Sequence, residues 1–145
     1  MSRPSTTGFA VIDTTVFGAE LSPTRTDLED LYRPHTTGRA LFISFMTAAE
    51  LRFGARRAEW GGPRLTRLDH QLGLADIVWP HEPLIDAYVD LRVECARIGH
   101  GLAQKIHEAD RWIAATALWL NLPLIAHDSV FIDAPGLSLV TELRS

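Results

Sequence analysis

Short apolar runs interrupt an otherwise mixed sequence, and they constrain the fold more than any other feature. The clearest runs cover residues 9–12, 41–45 and 123–126. A short run without alternation is typical of a strand buried on both faces, as in a parallel sheet. Residues 75–79 form a weaker candidate strand, and residues 138–141 a candidate edge strand. The sequence therefore predicts a sheet whose central strands are covered on both sides.

Helical patterns fill the intervals between these strands. Residues 47–57 begin with a threonine that can cap a helix, and residues 63–72 carry a proline near the start, where it is tolerated. Residues 82–98 show an apolar stripe at helical spacing that stops at Gly99, and residues 106–120 form the clearest helix. Strands alternating with helices predict an α/β fold with a mainly parallel central sheet flanked by helices.

The chain has the length and composition of a single domain. Its 145 residues are enough for one core, and we predict a flexible lead-in over residues 1–8 and one domain over residues 9–145. The polar stretch 22–39 is expected to hold a helix between loops. The N-terminus has no apolar signal segment, no run is long enough to cross a membrane, and Cys95 is the single cysteine. We therefore expect a cytoplasmic protein in which Cys95 is buried and unreactive.

Four acidic residues stand where a buried strand end or an inward helix face is expected to carry no charge. Asp13 and Asp128 each close an apolar run, and Glu50 follows another run by one helical turn. Asp110 lies in the clearest helix, on the face that carries its apolar neighbours. Because ligands bind beyond the carboxyl ends of the strands in such sheets, we predict that the four acids meet at one edge.

Converging carboxylates require a positive partner or a proton. Two carboxylates about 4 Å apart repel by about 1 kcal/mol in water and about 4 kcal/mol at an effective dielectric near 20. Mg²⁺ or Mn²⁺ meets this need with oxygen ligands, whereas no Cys or His cluster has the spacing of a zinc site. Each acid taken singly is better explained by a helix cap or a turn, so the metal prediction depends on all four together.

Charge and motif content argue against several functional classes. The net charge of -4 does not fit a protein that coats nucleic acid with a broad basic surface. An aspartate closing the first strand also opens the phosphotransferase motif of haloacid dehalogenases, but the second aspartate of that motif is replaced here by Thr15. The sequence contains no glycine-rich phosphate loop of the Walker type.

The segments around the four acids resemble those of a PIN domain. In order, they read Val11-Ile12-Asp13-Thr14-Thr15-Val16-Phe17, Ala49-Glu50-Leu51, Asp110-Arg111-Trp112-Ile113-Ala114-Ala115-Thr116-Ala117 and Leu122-Pro123-Leu124-Ile125-Ala126-His127-Asp128. The third segment followed by the Leu-Pro-Leu strand is the most specific part. The resemblance covers about residues 9–141, and in size and layout the chain is similar to the VapC toxins of bacterial VapBC modules.

This resemblance implies a Mg²⁺- or Mn²⁺-dependent endoribonuclease that hydrolyses structured RNA, either tRNA or rRNA. It also implies a homodimer and a VapB-type antitoxin that inhibits by placing an arginine among the carboxylates. The catalytic acids of the family carry over onto Asp13, Glu50, Asp110 and Asp128. Asp13, Asp110 and Asp128 are the implied metal ligands, and Glu50 would orient or deprotonate the attacking water. Thr15 takes the place of a supporting Asn or Ser.

Other polar residues near the acids are candidates for secondary roles. Arg52 and Arg56 lie one turn apart on the helix of Glu50, so they can share a face and bind RNA phosphates. A solvated helix face explains the same pattern equally well. His127 is a candidate for a phosphate contact, but we expect it to face solvent. Asp133 is a candidate further acid, but we expect it to occupy a surface turn.

Two other functions remain open from the sequence. A PIN-like module that binds RNA or protein without cleavage is disfavoured because none of the four acids is missing. An RNA-processing enzyme or a DNA nuclease of the same fold would share the acids. The short chain, without an added RNA-binding domain, favours a toxin over these enzymes.

Overall fold

A computed structural model describes residues 8–143 and shows one parallel sheet. Its strands are β1 (Gly8–Ile12), β2 (Arg39–Ser44), β3 (Ala75–Val78), β4 (Leu124–Ile125) and β5 (Leu139–Val140). Their order is β3-β2-β1-β4-β5, and every neighbouring pair is parallel. The expected α/β fold is confirmed. The expected lead-in lies outside the described residues except for Gly8, which already belongs to β1.

Helices connect the strands on both sides of the sheet. Within the described part of the chain they are α1 (Thr14–Phe17), α2 (Thr26–Thr36), α3 (Phe45–Arg57), α4 (Gly62–Leu72), α5 (Glu82–Ile98) and α6 (Glu108–Leu120). The polar stretch expected to hold one helix contains α2. In residues 8–143, no helix has both the length and the hydrophobicity needed to cross a bilayer.

Two helices, α3 and α6, begin two residues away from the predicted start, each for a local reason. Helix α3 begins at Phe45 because Ser44 caps it, with the Ser44 hydroxyl accepting from the backbone N–H of Met46 at 3.1 Å. Thr47, the cap expected from the sequence, is fully buried inside the helix instead. Helix α6 begins at Glu108, since residues 105–107 form a separate 3-10 turn.

The core lies on both faces of the sheet, which explains the uninterrupted apolar runs. Along β1, Val11 belongs to the cluster packed against α5 and α6, whereas Ala10 and Ile12 belong to the cluster covered by α1 to α4. Every side chain of the inner part of β1 is therefore buried. Cys95 is fully buried in the first cluster, as expected, and burial raises the pKa of its thiol.

Arg111 is a charged residue inside this core, with 1% of its surface exposed. Its Nη1 donates to the carbonyl oxygens of Leu102 and Gln104, each at 2.7 Å, and its Nε donates to the hydroxyl of Tyr88 at 3.2 Å. The guanidinium thus satisfies carbonyl groups of the irregular chain between α5 and α6. It fixes the path of the chain into the first turn of α6, where Asp110 lies.

Replacing Arg111 by leucine should destabilise the fold. The carbonyl oxygen of Leu102 would lose its donor in a buried place and that of Gln104 in a partly buried one, so we expect the free energy of unfolding to fall by about 2–4 kcal/mol. Urea denaturation measures the change. The control is Arg92→Leu on the exposed side of α5, for which a change within about 0.5 kcal/mol is expected. Equal stability of the two variants would contradict a structural role for the buried guanidinium.

Candidate active site

Asp13 directly follows β1 and caps α1. Its Oδ1 accepts from the backbone N–H of Val16 at 2.9 Å, and its Oδ2 accepts from that of His127 at 3.3 Å. Only 2% of the residue is exposed. Burial raises the pKa of Asp13 to about 7 despite these two hydrogen bonds, and the charges of Asp128 and Asp110 act in the same direction. The two hydrogen bonds therefore hold the carboxyl in place, but they do not offset the cost of burying its negative charge.

Glu50 reaches the same region from α3. Its Oε1 accepts from the hydroxyl of Thr14 at 2.7 Å, and that hydroxyl lies 2.9 Å from the hydroxyl of buried Thr47. Partial burial raises the pKa of the Glu50 carboxyl, the Thr14 hydrogen bond lowers it, and Asp110 raises it. Thr14, which the sequence prediction missed, links α1 to α3. Within the described residues Thr15 shows no hydrogen bond to an acid, and its supporting role stays a prediction.

Asp110 and Asp128 are the other two acids, one in α6 and the other after β4. Asp110 lies in the first turn of α6, where the helix dipole favours an anion, and its Oδ2 is 3.0 Å from Nδ1 of His107. Burial raises the pKa of Asp110, His107 and Arg111 lower it, and Asp128 raises it. Asp128 caps the 3-10 turn after β4, with Oδ1 accepting from the backbone N–H of Val130 at 3.0 Å.

These four carboxyls, which we call the acidic cluster, are Asp13, Glu50, Asp110 and Asp128. Asp110 and Asp128 both raise the pKa of Asp13, Asp110 raises that of Glu50, and Asp128 raises that of Asp110. The cluster thus forms one electrostatic unit, drawn from the ends of β1 and β4 and from α3 and α6. Each acid also caps a helix or turn or forms a hydrogen bond with a neighbouring side chain, so the structural and functional explanations apply to the same residues.

The chemistry of the cluster fits a hard divalent cation. Its donors are all carboxylate oxygens, which Mg²⁺ and Mn²⁺ prefer, and Mg²⁺ typically binds one or two carboxylates and keeps several waters. Within residues 8–143, however, no group of three or more His, Cys, Asp or Glu side chains is arranged to hold a metal ion as it stands. Each acid instead accepts a hydrogen bond from the protein. The assignment of Asp13, Asp110 and Asp128 as metal ligands therefore stays a prediction.

His127 departs from the sequence expectation. We expected its side chain to face solvent, but the imidazole is half-buried, and its Nδ1 lies 2.8 Å from the hydroxyl of Tyr32. The two rings meet edge to face with centroids 5.4 Å apart. The expectation is wrong because α2 packs beside the end of β4. Tyr32 was missed because it lies in a polar stretch with no periodic signal.

The remaining candidates lie on the surface. Arg52 and Arg56 are exposed on α3, and neither forms an ion pair with another described residue. Their role in RNA binding stays a prediction. Asp133 is exposed with φ of 61°, a left-handed turn conformation, which confirms its expected place in a surface turn.

Comparison with known proteins identifies the family. The sequence profile of the PIN domain matches residues 10–137, and the chain therefore belongs to the PIN-domain family. PIN domains of VapC toxins are nucleases. No curated protein matches this sequence significantly.

Several solved structures share this fold over nearly the whole chain. VapBC2 from Rickettsia felis, bound to a promoter DNA fragment, has a TM-score of 0.75 at 20% identity and covers 92% of this chain and 98% of its own. FitAcB from Neisseria gonorrhoeae has a TM-score of 0.70 at 24% identity, and the match covers 90% of this chain and 95% of the FitAcB chain. VapBC-5 from Mycobacterium tuberculosis, a member of the VapBC family of toxin-antitoxin systems, has a TM-score of 0.62 at 26% identity. The match covers 92% of this chain and 96% of the VapBC-5 chain.

The buried carboxyl of Asp13 should make the stability of the cation-free protein depend on pH. Its pKa rises from 3.8 to about 7 on folding, so between these values the folded state keeps a proton that the unfolded state has lost. The free energy of unfolding should therefore fall by up to about 4 kcal/mol as the pH rises from about 4 to about 7, and change little above that. Urea denaturation in EDTA at stepped pH measures this profile.

The matched control is Asp13→Asn, which keeps the shape and removes the titrating group. We expect a flatter pH profile for this variant and a higher free energy of unfolding than wild type at pH 8, since no desolvated charge remains. In this variant the free energy of unfolding should still fall slightly with rising pH, because burial raises the pKa values of Glu50 and Asp110 too. A wild-type profile no steeper than that of the variant would contradict the burial cost assigned to Asp13.

Proposed function

We propose that this PIN domain is a metal-dependent endoribonuclease and the toxin of a toxin–antitoxin pair. The observation that carries the proposal is the acidic cluster, in which a buried aspartate with a pKa of about 7 interacts with neighbouring carboxylates. The family and the VapBC toxin-antitoxin structures of the same fold support it. A protein without use for a cation would be more stable without these charges.

The acids at the strand ends and on α6 are the proposed cation ligands. Asp13, Asp110 and Asp128 would present carboxylate oxygens to a cation at the sheet edge. The pKa values of Asp13 and Asp110 are raised, in part by the charge of Asp128, and Mg²⁺ or Mn²⁺ would offset this accumulation of negative charge. The bound cation would supply Lewis-acid activation of water and neutralise charge that develops on the phosphate. The hydrogen bonds to Asp13 from two backbone N–H groups keep one ligand oriented before binding.

Glu50 is the proposed general base. It is the most exposed acid of the cluster, its position is set by the Thr14 hydroxyl, and its raised pKa brings it closer to the range useful for proton transfer. In this scheme Glu50 takes a proton from the attacking water, and the water oxygen bonds to phosphorus. The bond from phosphorus to the 3′ oxygen breaks, and the 3′ oxygen takes up a proton from solvent water. The products carry a 5′-phosphate and a 3′-hydroxyl, and neither a side-chain nucleophile nor the 2′-hydroxyl is required.

Structured RNA, either tRNA or rRNA, is the proposed substrate, and α3 is its proposed contact. Arg52 and Arg56 are exposed on the helix that carries Glu50, so phosphates bound there would lie beside the acidic cluster. Arg64 and Arg67 on α4 are less available, because they donate to the carbonyl oxygens of Leu21 at 3.2 Å and Glu20 at 2.8 Å. Recognition by shape and by unpaired loops is usual for RNA.

A cognate VapB-type antitoxin is the proposed inhibitor, and a homodimer the proposed assembly. An antitoxin arginine among the carboxylates would supply the positive charge that the cation supplies in the active enzyme. A groove of about 260 Å³ beside Glu50, lined in part by Leu51, Gly54, Ala55 and Trp60, offers an apolar surface next to that charge. The groove and the acids together suit a partner segment with one apolar face and one arginine.

Purified, antitoxin-free protein should cut cellular RNA at discrete positions in the presence of Mg²⁺ or Mn²⁺. Cleavage should be lost in EDTA and reduced at least about 1,000-fold in Asp13→Asn, because a cation ligand is removed. Sequencing of fragment ends would give the target and the bond. Intact RNA with folded, cation-loaded protein would contradict the proposal and favour a non-cleaving binding module. Cleavage of DNA, or trimming of precursor RNA alone, would favour the other nucleases of this fold.

The double variant Arg52→Ala/Arg56→Ala should weaken RNA binding without altering chemistry. We expect KM to rise roughly tenfold with kcat nearly unchanged, because phosphate contacts are lost and the acids are not. The dependence of binding on salt should also become shallower. Arg92→Ala, at another exposed arginine on α5, is the control and should behave as wild type. An unchanged KM in the double variant would assign these arginines to a solvated helix face.

A further inference from the structure

Tyr32 of α2 is buried, with 1% of its surface exposed, and its hydroxyl meets groups from two other segments. The hydroxyl oxygen lies 2.8 Å from His127 Nδ1, 3.1 Å from the carbonyl oxygen of Ala126 and 3.2 Å from the hydroxyl of Thr141. It also accepts from the backbone N–H of Glu142 at 2.8 Å. One phenolic oxygen therefore joins α2 to the end of β4 and to the chain that follows β5.

The single hydrogen of the phenol assigns the roles in this network. Ala126 is fully buried and its carbonyl oxygen can only accept, so the Tyr32 hydroxyl donates to it. Nδ1 of His127 then carries a hydrogen and donates to the phenolic oxygen. This hydrogen bond and the edge-to-face contact of the rings leave the imidazole one orientation.

The segment after β4 that Tyr32 contacts includes one acid of the cluster, Asp128, and is hydrogen-bonded to another, Asp13. The backbone N–H of His127 donates to Oδ2 of Asp13 at 3.3 Å, and the next residue is Asp128. Strand β4 ends at Ile125, so His127 and Asp128 lie beyond the regular strand pairing. The 3-10 turn that Asp128 caps holds this segment from one side, and the side chain of Tyr32 in α2 holds His127 from the other.

We propose that Tyr32 is a positioning residue that holds Asp13 and Asp128 in place through His127. The inference rests on the proposed function and extends it to a residue outside the acidic cluster. Hydrogen-bond partners that orient ligating groups typically contribute about 10- to 100-fold to metal affinity or activity. Because Thr141 and Glu142 share the same hydroxyl, the chain after β5 belongs to the support of the site as well.

The variant Tyr32→Phe tests the inference because it removes one oxygen and keeps the packed ring. Thr116→Val is the control, since it also removes a buried hydroxyl, one that donates to the carbonyl oxygen of Trp112 at 2.8 Å within α6. In cation-free protein we expect the amide hydrogen of His127 to exchange about tenfold faster in Tyr32→Phe than in wild type. The control should leave this amide unchanged. Equal exchange in wild type and Tyr32→Phe would overturn the inference.

A second readout is the binding of Mn²⁺ by calorimetry, with RNA cleavage measured alongside. Tyr32→Phe should bind Mn²⁺ about 10- to 100-fold more weakly and lose kcat in proportion, while KM for RNA stays near wild type. In a His127→Gln background the further change Tyr32→Phe should have little effect, since the link is already lost. Wild-type affinity in Tyr32→Phe would overturn the inference. A wild-type protein that binds Mn²⁺ but cuts no RNA would instead overturn the proposed function, and exchange and affinity would still decide the role of Tyr32.

Discussion

The buried carboxyl of Asp13 is the constraint on which the rest of the site depends. It lies at the end of β1, almost without contact with water, and two backbone N–H groups orient it without neutralising it. Desolvation raises its pKa to about 7, and the neighbouring acids add to the rise. Such an arrangement destabilises the ionised fold unless a cation or a proton offsets the charge. The cost of burying this charge is the reason for proposing a cation at the end of β1.

The fold holds this group by covering the sheet on both faces. Asp13 and Asp128 follow neighbouring parallel strands, so β1 and β4 bring their ends to one edge. Helix α6 adds Asp110 from one side, and its entry is fixed by the buried guanidinium of Arg111. On the other side α3 adds Glu50, and Tyr32 of α2 braces the residues beyond β4. Each acid of the cluster thus lies in a helix or caps a helix or turn beside a strand end, which suits a site that must be organised before its ligand arrives.

The sequence predicted those parts of the structure that local patterns determine. Strand β1 was found because burial on both faces requires an uninterrupted apolar run, and Asp110 was noticed because it breaks the apolar face of α6. The start of α3 was missed by two residues, since Ser44 rather than Thr47 is the cap. The Tyr32–His127 contact joins residues 95 positions apart and leaves no local pattern, so only the folded chain reveals it.

The most direct test of this account is the pKa of Asp13, followed by carboxyl carbon NMR with and without Mg²⁺. Without the cation we expect the carboxyl to titrate near pH 7, as burial dictates. With saturating Mg²⁺ the pKa should fall well below that value, because a bound cation favours the ionised form. An ordinary aspartate pKa in the cation-free protein, or a value that Mg²⁺ leaves unchanged, would contradict the claim that this carboxyl is the anchor of a cation site.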